Sequence, residues 1–174
     1  MDTYGKVCPE DLAHLDFSAE LTGNERAILA SLITPLNVVE NQTLFRCGDP
    51  ADACYLVQHG LLALEICAAG IGCRRIGTVG PGELIGWSPF LPGSCFSATA
   101  RVLNAGRVFR IPAEPLRQAC DQNPEFGYHI LRRVVRVLAA RINATRMQML
   151  DLFGPESAHV HGTWEPTGDT YEDR

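Results

Sequence analysis

Turn-forming residues interrupt residues 36–111 at intervals of roughly 8 to 12 residues, and this spacing limits the possible folds more than any other feature. The segments between the turns are short and rich in β-branched residues, which favours strands over helices. Glycine and proline supply the backbone conformations that a chain reversal needs. The pattern predicts an antiparallel sandwich or barrel rather than a parallel α/β sheet. The predicted strands are Asn37–Leu44, Cys54–Val57, Leu61–Cys67, Cys73–Val79, Ala98–Leu103 and Arg107–Ile111.

Helices are predicted on both sides of this β-rich region. Thr22 and Glu25 have the spacing of a capping box, which predicts a helix over residues 23–33. A short helix is predicted over Ala113–Cys120, and a long helix over residues 124–153. The long helix carries an apolar heptad seam, which favours a two-fold homodimer, although such a stripe can also pack on its own β domain. The seam consists of Leu131, Val135, Leu138, Ile142, Thr145, Met149 and Leu152.

Size and charge distribution indicate one domain with appendages. The chain has 174 residues, of which 46% are hydrophobic, enough for one sizeable core. We predict a lead-in over residues 1–20, the domain over 21–153 and a disordered acidic tail over 154–174. Residues 151–174 hold six of the 20 acids and one of the 15 bases, so the rest of the chain is neutral despite the net charge of −5. This balance gives no electrostatic case for nucleic-acid binding.

Several classes of protein and site are not expected. No long apolar segment or signal peptide is visible, which predicts a cytoplasmic protein without a membrane span. The seven cysteines include no Cys-x-x-Cys pair, which favours free thiols over a disulfide framework or a zinc site. Cys67 and Cys73 flank a glycine-containing turn and could face each other across a hairpin. No catalytic triad, paired carboxylates or Walker loop is visible, so we expect no enzyme and no metal.

A glycine-rich turn with one carboxylate is the strongest candidate for a ligand site. Its backbone conformation leaves N–H groups free to point at an anion. The turn and the segment after it read Gly80-Pro81-Gly82-Glu83-Leu84-Ile85-Gly86-Trp87-Ser88, followed by Phe96-Ser97-Ala98-Thr99.

This segment resembles the phosphate-binding cassette of the cyclic nucleotide-binding domain family, and Cys47–Asp52 and Tyr55–Gly60 resemble other motifs of that family. The resemblance covers roughly residues 21–150. It implies a mainly β fold with flanking helices, an antiparallel β-roll or jelly roll, and a long C-terminal dimerisation helix. In the family the cassette opens a short helix.

The resemblance also implies the site residues. The family's cassette glutamate, here Glu83, binds the ribose 2′-hydroxyl, and a residue matching Thr145 closes over the base. Backbone N–H groups and an arginine bind the cyclic phosphate, but Phe96 occupies the arginine position. From the residues alone, Glu83 could instead stabilise its own turn and Thr145 could be a tolerated polar residue. The predicted ligand-binding residues are Gly82, Glu83, Leu84, Ile85, Gly86, Trp87, Ser88, Phe96, Ser97, Ala98 and Thr145.

Three functions follow as hypotheses. The first is a stand-alone sensor that binds a small anionic ligand, a cyclic nucleotide such as cAMP or a non-standard one, and signals through its dimer helix to an unknown partner protein. The second is a ligand-free dimeric scaffold with a degenerate cassette. The third is a transcription regulator of the catabolite activator type without its helix-turn-helix, for which no direct DNA binding is expected. An arginine of the long helix could replace the missing cassette arginine.

Overall fold

The computed structural model describes residues 7–152, apart from 69, 71 and 92, so the predicted acidic tail lies outside the described residues. The helices are α1 (Pro9–Ala13), α2 (Gly23–Leu32), α3 (Ala113–Gln122) and α4 (Pro124–Leu152), with 3-10 helices at Asp16–Ser18 and Ser88–Phe90. The strands are β1 (Thr34–Val38), β2 (Thr43–Phe45), β3 (Ala53–Ala68), β4 (Gly72–Val79), β5 (Leu84–Ile85) and β6 (Thr99–Pro112).

The six strands form one antiparallel sheet, as the turn spacing predicts. The path runs β1-β6-β3-β4, while β2 pairs with β6 and β5 pairs with β3. The long strands β3 and β6 lie side by side through most of their length. The mainly β fold class with flanking helices is therefore confirmed, and the long C-terminal helix is present as α4.

The predicted breaks between strands at residues 58–60 and 104–106 are wrong, because both segments lie inside continuous strands. The register between β3 and β6 shifts three times between Val57 and Leu62, so the strands bend through bulges instead of reversing. Gly60 has a φ of 102°. At Gly106 a Cβ atom would lie 2.1 Å from the His59 carbonyl oxygen. The two glycines permit a close backbone contact that any side chain would prevent.

One further predicted strand is wrong, and one observed strand was not predicted. The segment Asn37–Leu44 is divided between β1 and β2, because the chain turns at Asn41, which has a φ of 65°. The side chain of Gln42 accepts a hydrogen bond from the Val39 N–H (3.0 Å) and stabilises this turn. Strand β5, which is only two residues long, has too few residues to show a period in the sequence.

The buried side chains form two clusters. One lies inside the roll and includes Val57, Leu62 and Val108. The other joins the helices to the sheet and includes Leu29, Phe109, Phe126 and Ile130. Leu84 belongs to the helix-side cluster, and its neighbour Ile85 belongs to the roll cluster. Strand β5 therefore lies where the two cores meet, and this fixes the position of the glycine turn before it.

The expectation of free thiols is wrong for one pair. Cys67 and Cys73 are opposite each other in the β3–β4 ladder, and their sulfur atoms are bonded. The glycine-containing turn allowed the two cysteines to face each other, but only the register of the hairpin brings their sulfur atoms together. The free cysteines of the described residues are Cys8, Cys47, Cys54, Cys95 and Cys120.

Candidate ligand cassette

Two hydrogen bonds hold the glycine turn at the entrance to β5. The Gly82 N–H donates to the Val57 carbonyl oxygen (2.8 Å), and the Val57 N–H donates to the Glu83 carbonyl oxygen (3.0 Å). Gly82 has a φ of 83°, and a Cβ atom there would lie 2.9 Å from the backbone nitrogen of Asp16. The turn therefore requires glycine for both its conformation and its close contact with the lead-in.

Glu83 has the only carboxylate of the segment 80–88, and its side chain is exposed. One carboxylate oxygen, Oε2, accepts a hydrogen bond from the Gly80 N–H (2.6 Å). This is the local role that the residues alone suggested, in which the carboxylate stabilises its own turn. A carboxylate has several acceptor sites, so an exposed Glu83 can also accept a hydrogen bond from a ligand hydroxyl.

The residues after Glu83 enter the core instead of opening a helix. Leu84 pairs with Leu56 and Ile85 with Tyr55, and both side chains are buried. The 3-10 helix Ser88–Phe90 follows, so the expected cassette helix is reduced to this one turn. The predicted ligand residues Leu84 and Ile85 therefore position the cassette through packing of their side chains.

Phe96, at the position of the missing arginine, is packed inside the roll. Its side chain is 4% exposed, and its ring stacks on Phe45 with 3.8 Å between the centroids. The Phe96 ring also lies against Gly86, where a Cβ atom would be 3.1 Å from the Phe96 Cε1 atom. The Phe96 N–H donates to the Asp49 carbonyl oxygen (2.9 Å), which holds the backbone in place. An aromatic stack therefore occupies the position at which the family resemblance implies an arginine.

The other predicted site residues differ in exposure. Trp87 is half-buried and packs against the helix-side cluster. Ser88 is buried, and its carbonyl oxygen accepts a hydrogen bond from the Ser94 hydroxyl. Ser97 is exposed, whereas Ala98 is 8% exposed. Glu83 and Ser97 are thus the cassette side chains that combine exposure with hydrogen-bonding atoms, and no basic residue occurs in segments 80–88 and 96–98.

The long helix uses three of its arginines within the chain. Glu20 accepts hydrogen bonds from Arg132 and Arg136 and lies 3.0 Å from the Nη1 atom of Arg133. The hypothesis that a helix arginine replaces the cassette arginine therefore gains no support from these three residues. The sequence patterns did not identify Glu20 as the partner of these arginines. A helix that is rich in arginine and has no acid over 127–149 does indicate that acidic partners lie elsewhere in the chain.

The lead-in connects the cassette turn to α4 at Phe17. The Phe17 N–H donates to the Gly82 carbonyl oxygen (3.0 Å). The Phe17 carbonyl oxygen accepts a hydrogen bond from the Nε atom of Arg133 (2.9 Å), whose side chain is 7% exposed. A displacement of the turn would thus act directly on the backbone group that holds Arg133.

The charge cluster predicts a dependence of stability on pH. Hydrogen bonds from Arg132 and Arg136 lower the pKa of the Glu20 carboxyl from 4.5 to about 2. Because the folded state binds the proton more weakly, this stabilisation is present above pH 4.5 and is lost as the pH falls towards 2. In urea unfolding, Glu20→Gln should be less stable than the unmodified chain near neutral pH, and its stability should fall less steeply with acid.

Glu40→Gln, which removes an exposed acid, is the control for loss of charge alone. An acid profile that is the same for Glu20→Gln and the unmodified chain would show that the arginine cluster does not stabilise the folded state.

Much of the predicted dimer seam is solvent-exposed in the chain. Leu131 and Val135 are 55% and 54% exposed, and further along α4 Ile142 and Met149 are 52% and 53% exposed. Leu138 is half-buried and packs against the helix-side cluster. Thr145 is exposed and lies in the second of two units, which begins at Ala140. Its role in closing over a base stays a prediction.

Comparison with known proteins identifies the family to which this fold belongs. The sequence model of the cyclic nucleotide-binding domain family matches residues 35–123, just over half of the chain. The chain therefore belongs to the cyclic nucleotide-binding domain family. A cyclic nucleotide-binding domain from Methylobacillus flagellatus has a TM-score of 0.71 at 20% identity and covers 91% of this chain and 85% of its own. The regulatory domain of PKA from Toxoplasma gondii, solved with cAMP, has a TM-score of 0.57 at 20% identity over 64% of this chain and 42% of its own.

The curated relatives are much longer proteins. Neuropathy target esterase sws of Drosophila grimshawi is 26% identical over 77% of this chain and 10% of its own length. An uncharacterised NTE family protein of Mycobacterium tuberculosis is 29% identical over 73% of this chain and 21% of its own length. Lysophospholipase nte1 of Neurospora crassa is 26% identical over 80% of this chain and 8% of its own length. The chain thus spans about a tenth to a fifth of the relatives that it matches.

These names correct the expectation that no enzyme is involved. Two of the relatives carry the names of enzymes, an esterase and a lysophospholipase. Catalytic motifs in this chain could not reveal the connection, because such motifs indicate only chemistry within the segment that carries them.

The described helices include none that is long and apolar enough to cross a bilayer.

Proposed function

We propose that this chain is a ligand-sensing regulatory module in which the cassette binds a small ligand and α4 transmits its occupancy to a partner. The observation that carries the proposal is the pair of hydrogen bonds at Phe17, one to the Gly82 carbonyl oxygen and one from Arg133. A ligand that favours one position of the glycine turn would also favour one position of the lead-in and of the Arg133 side chain. Such differential binding is what couples a site to a distant element.

The chemistry of the cassette indicates the kind of ligand. Glu83 can accept a hydrogen bond from a sugar hydroxyl. The N–H groups of Gly80, Gly82 and Glu83 already donate within the chain, so they offer little to an anion. Without an arginine, an anionic group loses a charge-assisted contact of roughly 1.5 to 3 kcal/mol, or about ten- to several-hundred-fold in affinity. The half-buried Trp87 adds apolar surface. We therefore propose a nucleotide-like ligand with less negative charge at the cassette than a cyclic phosphate carries.

The ligand is tested by calorimetric and thermal-shift titration with cAMP, cGMP, nucleosides and inorganic phosphate. At 100 times its dissociation constant, a ligand should stabilise the chain by about 2.7 kcal/mol. Binding should be lost in Glu83→Ala and retained in the control Glu40→Ala, because both acids are exposed but only Glu83 lies in the cassette. Binding that is the same in both variants would contradict the proposed role of Glu83.

We further propose that two copies of α4 pair along the heptad seam. The support is the exposure of Leu131 and Val135, whose exposed apolar surface a partner helix would bury. Val135→Glu combined with Ile142→Glu should convert the dimer to a monomer, measured by light scattering after gel filtration. Met147→Glu is the matched control, since Met147 is 60% exposed but lies off the seam. A dimer that survives the double substitution would exclude this seam as the interface.

The names of the relatives suggest what the module regulates. Their shared segment corresponds to this domain, and the names denote an esterase and a lysophospholipase. We propose that the partner is a hydrolase of this lipid-ester class, on the same polypeptide or on another. Co-expression of the chain with such a hydrolase should change the rate of ester hydrolysis, and the double seam variant should change it less.

A second candidate function is a dimeric scaffold that binds no ligand. It is favoured by the burial of Phe96, since the ring occupies core space between Gly86 and Phe45. If no ligand of the panel binds and light scattering shows a dimer, the scaffold function would be favoured over the sensor.

A further inference from the structure

Three side chains of the types that bind metals come together on the β3–β4 hairpin. Cys67 and Cys73 are opposite each other in the ladder, and Glu65 lies two residues before Cys67 on the same face of β3. The Glu65 carboxylate and the two sulfur atoms all lie within 4.8 Å of one another. No Cys-x-x-Cys spacing indicates this group in the sequence, because the two cysteines are neighbours across the strands and not along the chain.

The disulfide holds two of these three groups in a form that does not bind metal. The sulfur atoms of Cys67 and Cys73 are bonded to each other, whereas the form of cysteine that binds metals is the thiolate. Both cysteines are exposed, so an external dithiol can attack the bond. In that reaction the dithiol gives up two electrons and two protons and becomes a cyclic disulfide, and the protein gains two thiols. Reduction therefore releases two metal-binding groups beside Glu65.

A neighbour on β6 holds Glu65 in position for a metal. The Nε atom of Arg101 donates to the Oε2 atom of the Glu65 carboxylate (3.0 Å), and the Glu65 side chain is 12% exposed. A carboxylate has about four acceptor positions, so it can bind a cation and keep this hydrogen bond. Hydrogen bonds of this kind fix the orientation of ligating carboxylates in metal sites. The ion pair thus orients Glu65 and leaves it able to act as a ligand.

The three donor atoms together favour zinc. Two thiolates and one carboxylate suit Zn²⁺, whereas Cu(I) prefers sulfur ligands, and Mg²⁺ and Ca²⁺ prefer oxygen ligands. Tetrahedral zinc has bonds of about 2.0 to 2.3 Å, which place its ligand atoms roughly 3 to 4 Å apart, so the two sulfur atoms need only separate by rotation of their side chains. The charges also balance, since three negative donors face the zinc ion and the guanidinium of Arg101.

We propose that the reduced hairpin binds Zn²⁺ through Glu65, Cys67 and Cys73, with water in the fourth position. Zinc displaces one proton from each thiol, and both protons pass to the solvent. The disulfide and the zinc ion exclude each other, because both need the same two sulfur atoms. The hairpin is therefore cross-linked by a covalent bond before reduction and by a metal ion after it.

The test is a calorimetric titration of the full chain with Zn²⁺ before and after reduction. Dithiothreitol reduces the chain, and gel filtration without oxygen removes the reductant. Alkylation followed by peptide mass spectrometry verifies that only Cys67 and Cys73 change state, so every other thiol is the same in the two samples. The reduced chain should bind one more zinc ion per chain than the unreduced chain. With Co²⁺ in place of Zn²⁺, the reduced chain should gain the near-ultraviolet absorption of cobalt–thiolate bonds.

Three variants identify the ligands. Cys67→Ser should abolish the additional site, because one thiolate and one carboxylate remain. Glu65→Gln should weaken zinc binding by at least about ten-fold, since loss of even an outer partner of a ligand costs about 10- to 100-fold in affinity. Cys95→Ser is the matched control, because Cys95 is also an exposed cysteine but lies outside the hairpin, and it should leave zinc binding unchanged.

Equal zinc binding before and after reduction would overturn the proposal, because the zinc would then belong to other thiols. Equal binding by Cys67→Ser and Cys95→Ser would have the same meaning. Unchanged affinity in Glu65→Gln would overturn the three-ligand site, since the carboxylate would then make no bond to the metal. The two states of the unmodified chain decide the question even if a variant folds poorly.

Discussion

Gly106→Ala is expected to lower the free energy of unfolding by about 3 kcal/mol or more, the largest effect of a methyl group added at any glycine that the structure describes. The new Cβ atom would lie 2.1 Å from the His59 carbonyl oxygen and 2.7 Å from the Gly60 Cα atom. Both contacts are with backbone, so no rotation of a side chain relieves them. The strands β3 and β6 would have to separate at the point where they bend together.

Gly77→Ala is the matched control, because Gly77 also lies in a strand but has nothing within 4 Å of the new atom. It should leave the stability unchanged or raise it by up to about 1 kcal/mol, since alanine restricts the unfolded chain. Urea unfolding followed by circular dichroism measures both variants. Equal midpoints for Gly106→Ala and the unmodified chain would mean that the two strands have room to separate without cost.

Phe96→Arg should have the second largest effect, and the effect should depend on ligand. Without ligand, the free energy of unfolding should fall by about 3 kcal/mol, because the stack on Phe45 is lost and a guanidinium enters a site that is 4% exposed. With a cyclic nucleotide, much of this loss should be recovered. The new charge-assisted contact should raise affinity for cAMP by about ten- to several-hundred-fold over the unmodified chain.

Phe96→Leu is the control, since it loses the aromatic stack without gaining a charge. Unfolding curves with and without cAMP distinguish the two variants, because only the arginine variant should be stabilised by the nucleotide. If cAMP stabilises neither variant, the cassette differs from a cyclic phosphate site by more than the one residue. That result would favour the scaffold function.

The fold was predictable from the sequence wherever the signal is local. The turn spacing predicted an antiparallel β fold, and the capping box predicted α2 to within one residue of its end. The errors occurred where a local signal has two meanings. Glycine in Asn104–Gly106 marks a turn in most sequences, but here Gly106 permits a bulge inside β6. Only the opposite strand, 46 residues away at Gly60, distinguishes the two cases.

The candidate site was predictable only in part, for the same reason. The glycine turn and Glu83 are contiguous in sequence, so their chemistry can be read directly. The stack joins Phe45, at the end of β2, to Phe96, in the segment before β6, and neither local pattern indicates it. The hydrogen bond between Arg133 and the Phe17 carbonyl oxygen spans 116 residues. Such contacts follow from the packing of the whole fold.

The attachment of α4 to the lead-in has consequences for the ionic environment of the protein. The side chains of Arg132 and Arg136 are 44% and 53% exposed, so dissolved ions screen their attraction to Glu20. Arg133 is 7% exposed, and its hydrogen bond to Phe17 is shielded from such screening. Rising ionic strength should therefore weaken the two exposed pairs and leave the Arg133 hydrogen bond in place. At high ionic strength, the polar link between the helix and the cassette turn would pass through a single guanidinium.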